Sequence, residues 1–572
     1  MRRSAALGLV AAAAATGGLF VVSRGKWSDP LIDSGREWIV PDALSRGERL
    51  YRDVVYWFGP FTPHFQAAFL RVFGSGFGSL VVAGAISAAV AIALLLVVLR
   101  RVTGRREAAL WTALAIPALV FMPNAGGALL GMGFRIWHAA AFALAAVALA
   151  SSPVSTRSRA VPFLAGGTAG LAGLCRTEWG LAAAAAAGLA CLVRSRNRRR
   201  GFGDAVAAAG TALAVFALGL GVFVWRAGPA AVFGDGHVLL TGLPEETRHF
   251  LVAFSGVRDW KAGTVELVYS AAMWWALFLV TSVAALPPGS RRAIRIRRLL
   301  VLFAVLAASA AAGGAGGAVL FSAAPLVAGA GLVAGLARGQ GSAAAALSAS
   351  GLLGLLLSYR RPFHIGDSAY VAPPLLFALV AAAGLLHLAT AGERRRGAAP
   401  RLAPAYRWVV GLLVAAAFAG RAWQYASLEG VPIAGTSGML TARPERAREI
   451  EELAEAVRRR TRAGSGLAVF PEGELLNLLA ARPNPLRHKL YLPGYLTADN
   501  ESDVLGELEK ARPDAVVLWR RPVSEYDRAM FGDDYGTRIR AWIEAHYDLA
   551  PFRAAGAPPR ANTAFVLGLR RP

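Results

Sequence analysis

Long apolar runs alternate with short polar connectors from the N-terminus to about residue 425, and this pattern predicts membrane-spanning helices. The first run covers about 5–22, directly after Arg2 and Arg3. Further runs follow at roughly 78–99, 107–123, 134–150, 160–175, 180–193, 203–224, 264–286, 298–313, 317–337, 341–357, 371–391 and 408–422. Each is near the length that crosses a bilayer as a helix, although a re-entrant helix is the alternative for the short runs. The sequence therefore predicts a polytopic α-helical membrane protein with about thirteen transmembrane helices.

Beyond residue 430 the spacing of the apolar positions changes. Helical patterns at 442–461, 472–481, 503–511 and 535–547 alternate with short strand patterns at 466–470, 514–519 and 563–569. Strands that alternate with helices indicate a small α/β domain, and a segment of this length can bury its own core. We therefore expect a transmembrane domain over 1–425, with a polar first outer loop at 24–77, and an α/β domain over 430–572.

Composition and charge agree with a membrane protein. Of the 572 residues 55% are hydrophobic and 17% charged, and the mean hydropathy is +0.46. The net charge of +25 does not indicate nucleic acid, because 430–572 contains 21 Lys/Arg against 19 Asp/Glu and the excess lies in short clusters between the apolar runs. The two cysteines, Cys175 and Cys191, sit in or beside apolar runs and build neither a disulfide framework nor a zinc site.

The basic clusters set the expected orientation. They fall in alternate connectors, at 100–106, 157–159, 194–200, 291–298, 338 and 394–407. Positive clusters stay on the cytoplasmic side, so we expect a cytoplasmic N-terminus and an extracytoplasmic C-terminal domain in a multi-pass protein of the cell (inner) membrane. A cleaved signal peptide is the alternative for the first run, but its length and weak cleavage site favour a retained span. In both cases the next loop lies outside.

The first outer loop is the most polar stretch between two predicted spans. Ionisable residues at the outer lipid boundary are functional candidates by default. Those of this chain come from at least four loops: Asp29, Asp33, Glu37, Arg176, Glu178, Asp235, His237, Arg360, Arg361, His364 and Asp367. We expect them to converge in a polar cavity roofed by the C-terminal domain.

Carboxylates and arginines in one cavity suit the transfer of a group from a lipid-linked phosphate donor. A carboxylate can take the proton of an attacking hydroxyl, while arginines balance the charge on the departing phosphate. Arginine also matches phosphate oxygens with two parallel hydrogen bonds. The alternative for Arg176, Arg360 and Arg361 is that each anchors the protein to lipid headgroups.

Several motifs resemble those of a known superfamily. Asp33-Ser-Gly-Arg-Glu37, Leu44-Ser-Arg-Gly47, Leu50-Tyr-Arg-Asp53 and Phe58-Gly-Pro60 follow one another in the first outer loop, and Cys175-Arg-Thr-Glu-Trp-Gly180, Phe470-Pro-Glu-Gly473 and Arg482-Pro-Asn-Pro485 come later. Together with the plan of spans and tail, they resemble GT-C membrane glycosyltransferases. Within that superfamily they are similar to glycosyltransferase family 39, the protein mannosyltransferases and aminoarabinose transferases.

The resemblance implies an inverting transfer of a hexosyl- or pentosyl-type sugar from a polyprenyl-phosphate donor to a glycan, lipid or protein acceptor at the outer face. It makes Asp33 the general base, with Glu37 as second acid, because this chain has Asp-Ser where the family has Asp-Glu. Donor phosphate would bind Arg176, Arg360 and Arg361. Tentative substrate-binding residues are Glu178, Asp53, Tyr51 and His364.

Other assignments stay open. Asp53 fits a pairing with Arg49 or Arg52 as well as a substrate contact, and Asp29 fits a turn better than catalysis. Asp235 and His237 make a weak metal signal, so no metal ligand is assigned, although a divalent metal remains possible. A polytopic transporter or a non-catalytic scaffold for cell-envelope assembly is the alternative function, but mid-span charges and internal repeats, which favour a transporter, are nearly absent.

Overall fold

The computed structural model describes most of the chain. The described residues are 2–32, 34–123, 126–130, 133–156, 158–236, 238–239, 243–254, 324–358, 372–395, 402–554 and 564–571, with a few single residues in 261–268. The predicted spans at 264–286 and 298–313 lie outside them, so the predicted number of thirteen spans stays a prediction.

Helices dominate the described residues up to 426. They are α1 (Arg2–Ser23), α2 (Ser34–Ser45), α3 (Phe61–Phe73), α4 (Phe77–Val102), α5 (Arg105–Ala115), α6 (Phe134–Ala150), α7 (Ala160–Cys175), α8 (Thr177–Arg194), α9 (Arg198–Ala227), α10 (Glu245–Phe254), α11 (Ala324–Ala337), α12 (Ser342–Leu357), α13 (Ala372–Arg395) and α14 (Leu402–Ala426). Short π-helical turns follow α5 at Ile116–Val120 and α9 at Ala230–Asp235.

The helical membrane fold predicted from the sequence is confirmed. Four described helical segments are long and apolar enough to cross a membrane: Phe77–Val102, Arg198–Ala227, Pro374–Ala391 and Pro404–Ala426. Shorter apolar helices occupy most of the other predicted runs. Small residues let these helices pack closely: a side chain at Gly166 would meet the carbonyl oxygen of Ala208 at 2.2 Å, and one at Gly170 that of Ala212 at 2.7 Å.

The connectors sort to two ends of the helical bundle. At one end, here called the arginine end, arginines bind the termini of neighbouring helices: Arg194 donates to Ala150 O, the last carbonyl of α6, at 2.8 Å, and Arg407 pairs with the Glu107 carboxylate in the first turn of α5 at 2.6 Å. At the other end, here called the loop end, residues 24–76 meet the C-terminal segment. This sorting agrees with the alternation of basic clusters along the sequence, and the side of the membrane on which each end lies stays a prediction.

The first outer loop contains two helices, which the sequence reasoning did not predict. Helix α2 is buried over most of its length despite an internal Pro41, and α3 begins directly after the Gly59-Pro60 turn. Asp29 precedes α2, and its Oδ1 accepts hydrogen bonds from Leu31 N and Ile32 N at 2.8 and 2.9 Å. Asp29 is therefore a turn residue, the interpretation that the sequence favoured.

The C-terminal segment is an α/β unit, as the sequence pattern predicts. Its strands are β1 (Val431–Pro432), β2 (Thr441–Ala442), β3 (Leu467–Phe470), β4 (Ala515–Trp519), β5 (Tyr547–Phe552) and β6 (Phe565–Arg570), and its helices are α15 (Pro444–Arg460), α16 (Leu475–Ala480), α17 (Glu501–Ala511) and α18 (Thr537–His546). The larger sheet has the order β3-β4-β6-β5, with β3 and β4 parallel and the other pairs antiparallel. Strands β1, β2 and β5 were not predicted.

The α/β unit packs directly on the first outer loop. A side chain at Gly35 in α2 would lie 2.5 Å from the Leu475 amide nitrogen, so only glycine allows α2 to approach α16 this closely. Trp57 stacks on Tyr495 with ring centroids 3.9 Å apart. The buried Lys489 ammonium lies 3.5 Å from a carboxylate oxygen of Glu48. Burial lowers the pKa of Lys489, and Glu48 opposes that shift.

Arg487 makes the most extensive polar contact across this interface. Its guanidinium donates to Arg52 O and Tyr51 O, both at 2.9 Å, and pairs with Asp235 at 2.7 Å. Its own carbonyl accepts from Val55 N at 3.0 Å. Arg487 therefore ties the turn at 51–55 and the segment after α9 to the C-terminal unit.

We expect Arg487→Gln to loosen this turn without unfolding the protein. Loss of the two charged hydrogen bonds to the carbonyls of Tyr51 and Arg52 should raise local amide exchange about tenfold. Hydrogen–deuterium exchange of peptides covering 50–56 measures the effect. Arg571→Gln is the matched control, because Arg571 pairs with Asp548 at 2.9 Å on the exposed sheet edge. Equal exchange at 50–56 in wild type and Arg487→Gln would contradict the assignment.

Candidate functional site

Two arginine guanidiniums lie over the ring of Phe58 at the loop end. The Arg135 carbon Cζ is 3.9 Å from the ring centroid and that of Arg176 is 5.3 Å from it. Arg135 lies in the first turn of α6, and Arg176 is the extended residue that separates α7 from α8. The face of an aromatic ring attracts cations, and the attraction grows when water is excluded. The Phe58 ring therefore attracts two positively charged side chains, one from α6 and one from the junction of α7 and α8.

The Gly59-Pro60 turn places Phe58. The backbone of Gly59 is pressed against the end of α7, where a Cβ atom would lie 2.0 Å from Leu174 O. Any larger residue would push the turn away from Arg176. The close approach to α7 thus explains why the motif Phe58-Gly-Pro60 has glycine at its centre in this chain.

Glu37 forms a buried ion pair with Arg135. Glu37 Oε1 accepts a hydrogen bond from Arg135 Nη1 at 2.7 Å, and both side chains are 2% exposed. A charge buried this deeply persists only with a partner. Glu37 was predicted as the second catalytic acid, and the structure places it as the counter-ion of Arg135.

Arg176 and Glu178 form a second pair of the same kind. Arg176 Nη2 lies 2.6 Å from Glu178 Oε1, and the Arg176 side chain is 3% exposed. Arg176 was predicted to bind phosphate and Glu178 to bind substrate. Their ion pair lies near the Glu37–Arg135 pair, because both arginines lie over the Phe58 ring. The structure brings Glu37, Arg176 and Glu178 together around Phe58, and their predicted roles stay predictions.

Tyr56 places its phenol next to Arg135, and the two side chains interact electrostatically. Burial raises the pKa of Tyr56 to about 12, while Arg135 opposes the shift and Glu37 adds to it. The phenol is therefore protonated at neutral pH and available as a neutral hydrogen-bonding group.

Tyr51 and Asp53 shape the loop. The fully buried Tyr51 adopts a left-handed backbone conformation (φ 66°), and its hydroxyl donates to Phe58 O at 2.5 Å. Asp53 Oδ2 accepts from Arg49 N at 2.9 Å and from Arg49 Nε at 3.1 Å. Burial raises the pKa of Asp53, but the Arg49 amide and guanidinium together with Arg52 lower it by more, so the pKa lies below its usual value. Both residues stabilise the turn. For Asp53 this agrees with the alternative that it pairs with Arg49 or Arg52.

Four predicted site residues lie outside the described residues. They are Asp33, Arg360, Arg361 and His364. Their roles stay predictions. Asp235 pairs with Arg487, and its predicted metal partner His237 also lies outside the described residues.

The lone histidines of the loop end have structural partners. His138 lies 3.0 Å from Thr62 Oγ1 and 2.7 Å from Ser87 Oγ, and His64 Nδ1 lies 2.8 Å from Pro60 O. Within the described part of the chain, no group of three His, Cys, Asp or Glu side chains could hold a metal ion.

Sequence reasoning missed Arg135. It is the one charged residue in the apolar run 134–150, and it was counted within a span instead of with the outer loops. An ionisable residue inside a predicted span is a functional signal in its own right, and this signal could have found it.

We expect Gly59→Ala to destabilise the protein and to displace Phe58. The added methyl group has no room beside Leu174 O, and overpacking of this kind costs about 1–3 kcal/mol. Gly78→Ala in α4 is the matched control, because nothing lies within 4 Å of a Cβ there. Thermal unfolding in detergent should show a lower midpoint for Gly59→Ala only; equal midpoints for the two variants would refute the close contact.

A double-mutant cycle tests the Glu37–Arg135 pair. Glu37→Gln and Arg135→Met each leave one buried charge without its counter-ion, a loss of about 3–5 kcal/mol. The double variant should be more stable than either single variant, because it removes both charges. Thermal unfolding again gives the measurement. Glu455→Gln, in an exposed pair with Arg459, should change stability by less than about 1 kcal/mol. Additive losses in the double variant would contradict the coupling.

Comparison with known proteins gives structural neighbours only. No family model and no curated protein matches the chain. Among solved structures, ArnT from Cupriavidus metallidurans bound to undecaprenyl phosphate is similar at 12% identity and a TM-score of 0.49, over 98% of this chain and 97% of that one. The Archaeoglobus fulgidus oligosaccharyltransferase complex with Zn and sulfate is similar at 14% identity and a TM-score of 0.48, over 89% and 67%. The arabinofuranosyltransferase AftD from Mycobacteria is similar at 14% identity and a TM-score of 0.45, over 100% and 40%.

All three TM-scores lie below 0.5, so we infer the function from the residues and motifs of this chain. The GT-C superfamily and family 39, which the sequence motifs resemble, stay predictions for this chain.

Proposed function

We propose that the chain is a membrane glycosyltransferase that moves a sugar from a polyprenyl-phosphate donor to an acceptor hydroxyl at the loop end, with inversion. One observation carries the proposal: two buried guanidiniums, from α6 and from the α7–α8 junction, meet at Phe58 beside the acid-rich first outer loop. The first-loop motifs, which resemble those of family 39, support the same reaction.

The two guanidiniums supply positive charge that can stabilise a departing phosphate. When the bond between the anomeric carbon and the phosphate oxygen breaks, its electron pair stays on the phosphate, which gains negative charge. Fixed cations in a site that excludes water stabilise such charge far better than water does. Arg135 Nε has no hydrogen-bond partner among the described residues, so this guanidinium keeps a donor for a phosphate oxygen.

The carboxylates have two different roles in the proposed reaction: one is the general base and the others orient the arginines. In the proposed step the acceptor hydroxyl oxygen attacks the anomeric carbon while its proton passes to the general base. Glu37 is an unsuitable base because its carboxylate is buried and bound to Arg135. Asp33, which directly precedes α2 and matches the acidic residue of the family motif, is the proposed base. Glu37 and Glu178 orient the arginines.

The remaining predicted residues keep their roles as proposals. Arg360 and Arg361 are proposed as further phosphate-binding groups and His364 as a substrate contact. Tyr51 and Asp53 act through the shape of the first loop, since both are engaged within it. The proposed acceptor is a glycan, lipid or protein at the extracytoplasmic face, and use of a divalent metal remains part of the hypothesis.

Transfer of radiolabelled sugar by the purified protein in lipid tests the function. A panel of polyprenyl-phosphate sugars serves as donors, and wild type is compared with Asp33→Asn. If Asp33 is the base, transfer should fall at least about a hundredfold while donor binding persists.

Asp29→Asn is the matched control in the same loop. An asparagine side-chain oxygen can still accept the turn hydrogen bonds of Leu31 N and Ile32 N, so this variant should keep activity near that of wild type. Full activity in Asp33→Asn would refute the assigned base, and absence of transfer from every donor would refute the enzyme proposal.

A further inference from the structure

A basic cleft lies at the loop end, outside the Arg135–Arg176 pair. It is formed by the end of α2 and the turn after it, by α3 and by the end of α9. Its lining includes Arg49, Arg52, Arg71 and Arg226, with Phe223 and Ala67 as apolar surface. The volume, about 140 Å³, is roughly ten times what one water molecule needs on the same measure. The cleft therefore has room for a phosphate group.

Positive charge predominates in this cleft. Arg49, Arg52, Arg71 and Arg226 face one lining carboxylate, Glu48, which also lies near Lys489 and Arg46. Asp53 behind the turn pairs with Arg49 at 3.1 Å and lies 3.8 Å from Arg52. Among the described residues no ion pair or hydrogen bond engages the Arg226 guanidinium, and Arg71 donates only to the carbonyls of Leu44 and Ser45. Two arginines thus have no carboxylate of their own.

The side chains around the cleft have the sequence pattern of a membrane–water interface. Helix α9 is a candidate span, and its exposed Leu218, Val222 and Trp225 follow one another at helical spacing up to Arg226. Helix α3 ends next to Arg71 with exposed Val72 and Phe73. Apolar side chains that face lipid and end in an aromatic residue next to an arginine are typical of the membrane–water interface.

A layer of aromatic side chains separates the cleft from the proposed catalytic centre. Phe223 lines the cleft and packs edge-on against Tyr51, with ring centroids 5.6 Å apart. Tyr51 in turn bonds through its hydroxyl to Phe58 O, and the Phe58 ring carries Arg135. The two basic regions therefore contact different residues of the same loop.

We propose that this cleft binds the phosphate of an anionic bilayer lipid, with Arg226 and Arg71 as the cationic groups and Phe223 and Ala67 against the apolar part of the headgroup region. A bound lipid would join α9 to the turn at 49–53 and fix the first outer loop at the membrane surface. This binding does not depend on the proposed glycosyl transfer, because none of the four arginines belongs to the centre around Phe58.

Native mass spectrometry of the full-length protein in detergent tests the proposal. The probes are dioleoyl phosphatidylglycerol, which is anionic, and dioleoyl phosphatidylcholine, which has the same chains and no net charge. Inorganic phosphate is added in a third series to separate a lipid headgroup from phosphate alone. Wild type should bind phosphatidylglycerol more tightly than phosphatidylcholine, and inorganic phosphate should not displace it.

Arg226→Gln should weaken phosphatidylglycerol binding about fivefold, the usual contribution of one arginine at an anionic membrane surface. Its melting midpoint should equal that of wild type, because Arg226 is exposed and unpaired in the described part of the chain. Arg71→Gln, at the other assigned cationic group, gives a second, independent variant. Arg248→Gln is the matched control: Arg248 lies on α10 at the same end of the bundle, outside the cleft.

Three results would overturn the proposal: equal affinity for the two lipids, wild-type affinity in both Arg226→Gln and Arg71→Gln, or displacement of the lipid by inorganic phosphate. Loss of sugar transfer without loss of lipid binding would bear on the proposed function alone.

Discussion

The loop end of this protein depends on keeping two buried guanidiniums next to one aromatic ring. Arg135 and Arg176 repel each other, and neither has water to stabilise its charge. Each is balanced by a carboxylate, Glu37 for Arg135 and Glu178 for Arg176, while the Phe58 ring contributes attraction to both. Because these groups come from α2, α6, the turn at 58–60 and the α7–α8 junction, satisfying the two charges fixes the relative positions of four elements.

The C-terminal unit has a physical role that follows from the same constraint. The turn at 51–55 presents backbone carbonyls that accept hydrogen bonds from outside the loop. Arg487 supplies donors to two of them, and Gly35 lets α2 lie directly on α16. Since α2 carries Glu37, the α/β unit indirectly holds the counter-ion of Arg135. The α/β unit is thus part of the scaffold of the site.

Sequence reasoning recovered the elements whose signal is local. Apolar runs such as 78–99 and 203–224 became α4 and α9 with boundaries shifted by a few residues, and the strand patterns at 466–470 and 514–519 became β3 and β4. Helix α2 was missed because its polar and apolar residues follow no helical stripe and Pro41 interrupts it. The partners of the charged residues could not be predicted, because Glu37 and Arg135, or Tyr51 and Arg487, are far apart in the chain and meet only through tertiary packing.

The difference between the two basic regions of the loop end lies in how their charges are matched. Around Phe58 each guanidinium has a carboxylate, so the region is held rigid and responds to charge that develops during a reaction. In the cleft beside α9, Arg226 has no such partner among the described residues, and Arg71 has only carbonyls. An unmatched cation at headgroup depth attracts an anion from the bilayer itself. One loop can therefore present a preorganised, neutralised arginine pair on one side and an anion-binding surface on the other, with Tyr51 and Phe223 as the apolar layer between them.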